Sequence, residues 1–149
     1  LVQGEKSRTK ILEEFRLSGN ALLLGTSSFW HGVDVRGQSL RLVLIDKLPF
    51  ASPADPIMQG RLNIIRQDGR DPFSEFQLPQ AVLSLKQGVG RLIRDFSDRG
   101  IIIIGDPRLR TRAYGQVFLE SLPPIPIIDN HEDLLEFANS LKFSSTTKI

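Results

Sequence analysis

Gly100-Ile101-Ile102-Ile103-Ile104-Gly105 sets four consecutive β-branched residues between two glycines. Branching at Cβ stiffens χ1 and suits a pleated strand better than a helix. An apolar run without alternation reads as a central strand covered on both faces, as parallel sheets are when helices flank them. Upstream of it, residues 79–95 carry Val82, Leu85, Val89, Leu92 and Ile93 at helical spacing, with Pro79 acceptable in the first turn. Residues 40–46 read as a second apolar strand and residues 21–25 as a short buried one. Leu1-Val2-Gln3 looks like the tail of another, so the sequence reads as a piece cut from a longer chain.

Helices fill the intervals. Residues 5–17 place Ile11, Leu12 and Phe15 inward, with Gly19 as the stop. Residues 56–67 place Ile57, Leu62 and Ile65 inward. Residues 111–121 form a further helix, ended by Pro123-Pro124, and residues 131–141 an amphipathic one that begins at His131. Residues 49–56 and 68–76 read as loops, and residues 143–149 as a frayed tail. Strands alternating with helices predict an α/β domain around a parallel sheet over residues 1–124, with a C-terminal extension over 125–149.

Composition narrows the function. Of 149 residues, 24% are charged and 40% hydrophobic, ordinary for a soluble globular domain. A net charge of +2 does not by itself imply a nucleic-acid partner, although Arg91, Arg94, Arg99, Arg108, Arg110 and Arg112 crowd one part of the chain. There is no cysteine, and His31 and His131 lie far apart, so no metal site is expected. No apolar run approaches the ~18 residues of a membrane span and no signal peptide is visible, so a cytoplasmic location is expected and a membrane partner is not.

Ligands of parallel sheets gather at the carboxyl ends of the strands. Three loops qualify: residues 26–37, 47–56 and 106–112. The first carries hydroxyls at Thr26, Ser27 and Ser28, glycines at Gly32 and Gly37, an aromatic pair at Phe29 and Trp30, and one acid, Asp34. Hydroxyls and exposed N–H groups there suit backbone phosphates, and Asp34 suits an arginine or a ribose hydroxyl. A plain loop, with Phe29 and Trp30 packed on the core, is the structural alternative. His31 reads as a loop residue. Arg108-x-Arg110-x-Arg112 reads as a solvated turn or as a phosphate-facing one.

In Gln87-x-x-Gly90-Arg91-x-x-Arg94, a helix would bring Gln87, Arg91 and Arg94 within about 60° of one another, opposite the apolar stripe. Planar guanidinium forks held on one face suit a polyphosphate; a solvated basic face is the alternative. Gly88-x-Gly90 is not a dinucleotide fingerprint, because it sits inside a helix. No Gly-x-x-x-x-Gly-Lys-Ser/Thr occurs, nor an Asp-Glu pair after a strand, so phosphate and magnesium would have to be cradled by another domain. The pattern is half of a composite site.

Taken together, residues 25–37 resemble motif V, and residues 87–94 motif VI, of the DinG/XPD-like superfamily 2 DNA helicases. Residues 45–50, 98–109 and 114–123 fit the same pattern, and the bacterial DinG and YoaA branch is the most similar. The resemblance implies the second of two RecA-like motor domains, truncated at its N-terminus, in an ATP-driven 5′→3′ helicase on single-stranded DNA. It implies Arg94 as an arginine finger, with Arg91 and Gln87 on the γ-phosphate or tying the two motor domains together. It places Asp34, Gly32 and Gly90 on the nucleotide side and Thr26, Ser27 and Ser28 beside the DNA backbone. ATP and Mg2+ would be shared with the first motor domain, where the family's iron–sulphur cluster also belongs, and a fragment without that domain would be inactive alone. The alternative is an interaction module whose C-terminal segment, with Leu134, Leu135, Phe137 and Leu141, docks a replication or repair protein such as the polymerase III chi subunit.

Overall fold

A computed structural model describes residues 1–26, 29, 40–52, 54–93 and 99–141. Along the chain these form α1 (Arg8–Ser18), β1 (Leu42–Ile45), α2 (Pro56–Gln67), a π-helical turn (Phe73–Gln77), α3 (Leu78–Val89), β2 (Ile101–Ile104), α4 (Arg108–Thr111), α5 (Gly115–Ser121) and α6 (His131–Ser140). β1 and β2 pair. The N–H of Ile101 donates to the carbonyl of Arg41 at 2.9 Å and that of Gly105 to Ile45 at 2.8 Å. Both ends advance by four residues, which is parallel pairing.

Two compact units divide the chain. One comprises residues 1–44, 88–103 and 124–149; the other comprises residues 45–87 and 104–123. In the first, Ile11, Leu12 and Phe29 form a buried core, with Leu1, Phe15, Leu23 and Leu40 packed against it. Gly19 stops α1 with φ of 71°, a left-handed conformation that a side chain resists. Val2 bridges Leu24 in parallel. The short strand expected at residues 21–25 is reduced to this single bridge. It is covered on one face only: Leu23 packs inward while Leu22 and Leu24 are 66% and 52% exposed. The residues point alternately to two sides, and a three-leucine run cannot show which side is covered. β2 departs from expectation in the same way. All four isoleucines are half-buried, and β1 is the only strand beside it among the described residues.

The second unit is built around Leu48, Leu62, Leu85 and Phe118, all buried. α2 begins where expected, because the Asp55 carboxylate accepts from the N–H groups of Ile57 and Met58 and Pro56 needs no donor. Its inward stripe is Met58, Leu62 and Ile65, however. Ile57 is 72% exposed and shares the outer face with Ile64, about 140° around the axis from Leu62. Residues 73–77, expected as loop, are helical. Asp71 nucleates them by accepting from the N–H groups of Phe73 and Ser74 and from the Ser74 hydroxyl at 2.7 Å. The wide turn is closed by the N–H of Leu78 donating to the Phe73 carbonyl, five residues back. α3 then stops at Val89 rather than running on to residue 95, where Gly88 and Gly90 weaken it. The helix expected over residues 111–121 is shortened to α5, and a separate short helix, α4, precedes it.

α4 and α5 touch backbone to backbone. A Cβ added at Gly115 would stand 1.9 Å from the Leu109 carbonyl oxygen, which cannot move aside without breaking α4. Gly115→Ala is therefore expected to destabilise the domain by about 1–3 kcal/mol in urea unfolding. Gly60→Ala, in the interior of α2 with nothing within 4 Å of the added Cβ, is expected to stabilise it by about 0.5–1 kcal/mol. Equal effects at the two positions would show that backbone packing at Gly115 is not the cause.

Candidate functional site

Within the first strand-end loop, Phe29 is a described residue and is buried. The N–H of Phe29 donates to the Thr26 carbonyl at 2.8 Å. The Gln3 side-chain oxygen receives both the N–H of Thr26 at 2.8 Å and its hydroxyl at 3.1 Å. The proton of that hydroxyl is thus engaged within the domain, and its lone pairs are what it offers to a ligand. Arg8 donates through Nη2 to the Phe29 carbonyl at 2.7 Å and lies 5.0 Å above the ring. Ser27, Ser28, Trp30, His31, Gly32 and Asp34 lie outside the described residues, and so does Arg94.

At the end of α3, Gln87 is half-buried on the last turn and Gly90 is exposed just past it. Arg91 does not ride on a regular helix. Its N–H donates to Gly88 and that of Leu92 to Val89, each three residues back, so the chain tightens there. Its Nε is enclosed and has no hydrogen-bond partner among the described residues. A buried guanidinium donor left unmet costs about 1–3 kcal/mol and calls for an explanation. Arg91 also lines a cavity of about 500 Å3 with Gly88, Leu22, Leu42 and Thr26. Two of the residues expected at a site, Thr26 and Arg91, therefore face one cavity.

The loop after β2 holds a residue that the sequence pattern alone did not flag as functional. Asp106 is only 5% exposed. Its carboxylate accepts from the N–H of Leu48 at 2.8 Å, the N–H of Arg108 at 3.0 Å, Nε of Arg108 at 3.0 Å and Nη2 at 2.6 Å. It is held far below the ordinary carboxylate range, first by the Arg108 side chain; burial opposes this, and the Leu48 and Arg108 backbone donors add to it. The arginine is raised in turn, chiefly by Asp106. Arg108 also lies 5.4 Å above the Phe50 ring, in a cluster with Phe73, Tyr114 and Phe118. The solvated reading of Arg108-x-Arg110-x-Arg112 is corrected at Arg108, which opens α4 and is tied to a buried acid, while Arg110 and Arg112 are exposed. An acid ending an apolar strand, two residues before an arginine, was the available signal. His131 is the first residue of α6, as expected, where the Asn130 side chain accepts from the N–H of Asp133.

The described residues hold no group of three or more His, Cys, Asp or Glu placed for a metal, and no helix among them is long and apolar enough to cross a membrane. The sequence pattern of the helicase C-terminal domain matches residues 1–125. The chain belongs to the helicase C-terminal domain family. It is 60% identical over 126 residues to the ATP-dependent DNA helicase YoaA of Escherichia coli, covering 85% of this chain and 20% of that protein. It is 56% identical to the protein of the same name from Haemophilus influenzae, over 83% of this chain and 19% of that one. It is 42% identical to the 3′-5′ exonuclease DinG of Bacillus subtilis, over 85% of this chain and 14% of that one. The chain thus spans about a fifth or less of the relatives it matches. The parallel β1–β2 pair flanked by helices agrees with the RecA-like α/β architecture expected of a helicase C-terminal domain.

The Asp106 pair gives this domain a pH-dependent contribution to stability. A carboxyl depressed on folding contributes stability that is present above its unfolded value near ~3.9 and is lost as pH falls below it. Asp106→Asn is expected to cost about 1–3 kcal/mol at neutral pH. The gap between the two proteins should narrow as acid unfolding is followed below about pH 4. A pH-independent gap would show that the carboxylate charge is not the stabilising element.

Proposed function

We propose that this chain is the second motor domain of an ATP-dependent 5′→3′ DNA helicase of the DinG/YoaA type, acting on single-stranded DNA in repair or replication in the cytoplasm. The reading is carried by motifs V and VI lying in order within a chain 60% identical to a protein named an ATP-dependent DNA helicase. The enclosed Nε of Arg91, without a partner among the described residues, supports it, since a bound anion would meet that donor. Residues 1–124 are the motor domain in this reading, and residues 125–149 an extension.

Within it, Arg94 reaches across to the transferring phosphoryl group of ATP held by the first motor domain. Its permanent charge offsets negative charge that spreads over the phosphoryl oxygens, an effect worth about 10³–10⁵ in rate. Arg91 and Gln87 hold the γ-phosphate or the facing domain, and Asp34, flanked by Gly32, links nucleotide to motif V. Gly90 leaves room beside Arg91. Thr26, Ser27 and Ser28 lie beside the DNA backbone, where hydroxyls not already engaged donate to phosphates without reading bases, as a translocating motor requires. ATP supplies the free energy when bound. Mg2+ would be shared with the first motor domain, to which an iron–sulphur cluster would also belong. No described residue here forms a metal-binding group of its own.

In the complete helicase, Arg94→Ala is expected to lower DNA-stimulated ATP turnover by about 10³-fold or more, with single-strand binding kept within a few-fold. Normal turnover in that variant would refute the assignment.

A second reading concerns the extension. Of the four residues named for docking, Leu135 is 51% exposed, Leu134 and Phe137 are half-buried and Leu141 is buried, so the reading rests on Leu135 together with Ile127, 63% exposed. The reading is that this segment binds a replication or repair protein, the polymerase III chi subunit being the one to test. Deleting residues 125–149 should then abolish co-purification of that subunit with the complete helicase, and undiminished capture would refute it.

A further inference from the structure

Arg91 sits between two buried anchors, Val89 before it and Leu92 after it. The turn that joins them is closed by the N–H of Arg91 donating to Gly88 at 3.2 Å and that of Leu92 donating to Val89 at 2.9 Å. Where Leu92 lies therefore decides where the Arg91 side chain starts. Leu92 lies against Gly100, just ahead of β2 and in the same compact unit. A Cβ added at Gly100 would stand 2.5 Å from Cδ1 of Leu92, 2.7 Å from its Cγ and 2.9 Å from the Arg41 carbonyl oxygen. Gly100 has no positive φ, so it is space, not backbone conformation, that calls for glycine there.

We infer that Gly100 is a positioning residue for Arg91, setting through Leu92 where the motif VI guanidinium meets a nucleotide phosphate. The inference rests on the helicase reading above. Gly100 touches no reacting atom; it acts by leaving room. None of the three crowded atoms gives way without consequence. The Arg41 carbonyl is engaged by the N–H of Ile101, the bond that opens the β1–β2 pair. Cδ1 of Leu92 can swing aside, but Cγ moves only with the χ1 of a buried side chain in a close-packed interior. Leu92 must therefore retreat, and the hydrogen-bonded turn carries the shift to Arg91, one residue away. Bonds from a guanidinium to a phosphate depend on the placement of its planar fork, so a displaced Arg91 loses them while keeping its charge.

The test measures binding of two nucleotides to the complete helicase: ADP, and the non-hydrolysable adenylyl imidodiphosphate, which carries a third phosphoryl group. Arg91→Ala should weaken the triphosphate analogue by about tenfold to a hundredfold and ADP by no more than about twofold. Gly100→Ala should weaken the analogue by about threefold to tenfold, again sparing ADP. Adding Gly100→Ala to Arg91→Ala should change nothing further, because the group through which Gly100 acts is already gone. A merely structural role would weaken both nucleotides, or weaken the analogue equally in both backgrounds. Methionine is unbranched and of similar volume to leucine, so Leu92→Met beside Gly100→Ala should return analogue binding to within about twofold of wild type. Leu92→Val, which withdraws the anchor without adding a clash, should also weaken the analogue selectively, and it carries the test if Gly100→Ala does not fold. Unchanged analogue affinity in Gly100→Ala and Leu92→Val would overturn the inference, and so would a loss that recurs undiminished beside Arg91→Ala. The two readings fail separately. Wild-type analogue binding in Arg91→Ala removes the motif VI role of Arg91, whereas a selective loss in Arg91→Ala beside an unaltered Gly100→Ala removes only the role of Gly100.

Discussion

A buried carboxylate with four donors is the constraint on which the second unit depends. Taking Asp106 out of water is costly unless its charge is met on every side. Arg108 meets it with a guanidinium and a backbone N–H, and Leu48 with a backbone N–H. Because Leu48 follows β1 and Asp106 follows β2, this one group ties together the exits of two parallel strands. Phe50, two residues past Leu48, then enters the aromatic cluster with Phe73, Tyr114 and Phe118. The strand exits are where ligands of parallel sheets gather, so the ion pair stiffens the part of the unit that such sheets use.

What could be read from the chain were the features whose cause is local. α2 has the predicted bounds because Asp55-Pro56 carries its own start signal, and α1 ends at Gly19 because a left-handed residue is needed there. The features that depend on neighbours were harder. Four isoleucines announce a strand but not how many faces are covered, and Ile57 and Leu62 are both apolar although only Leu62 is buried. The end of α3 turned on whether Gly88 and Gly90 outweigh an apolar stripe that continues to Ile93.

The site divides along the same line. The order of the motifs was legible, and it led to the family. Thr26 and Arg91 do line one cavity, a closeness that 64 intervening positions give no hint of. Asp106 was visible as a letter but not as a function, since its importance lies in its burial and in the partners that converge on it. Gln3 was passed over for a related reason. It lies far in sequence from Thr26, and a single amide gives no sign of what it will hold.

The π-helical turn at Phe73–Gln77 absorbs length. Such a turn holds one residue more than the α-helix it leads into. Remove that residue and the bond from Leu78 to Phe73 can close over four residues instead of five, so α3 keeps its angular phase relative to Asp71. Leu85 would stay in the core, whereas the same deletion made inside α3 ahead of it would swing it by about 100°. The wide turn that Asp71 holds in place is thus a point where the chain can change length without turning the face of α3.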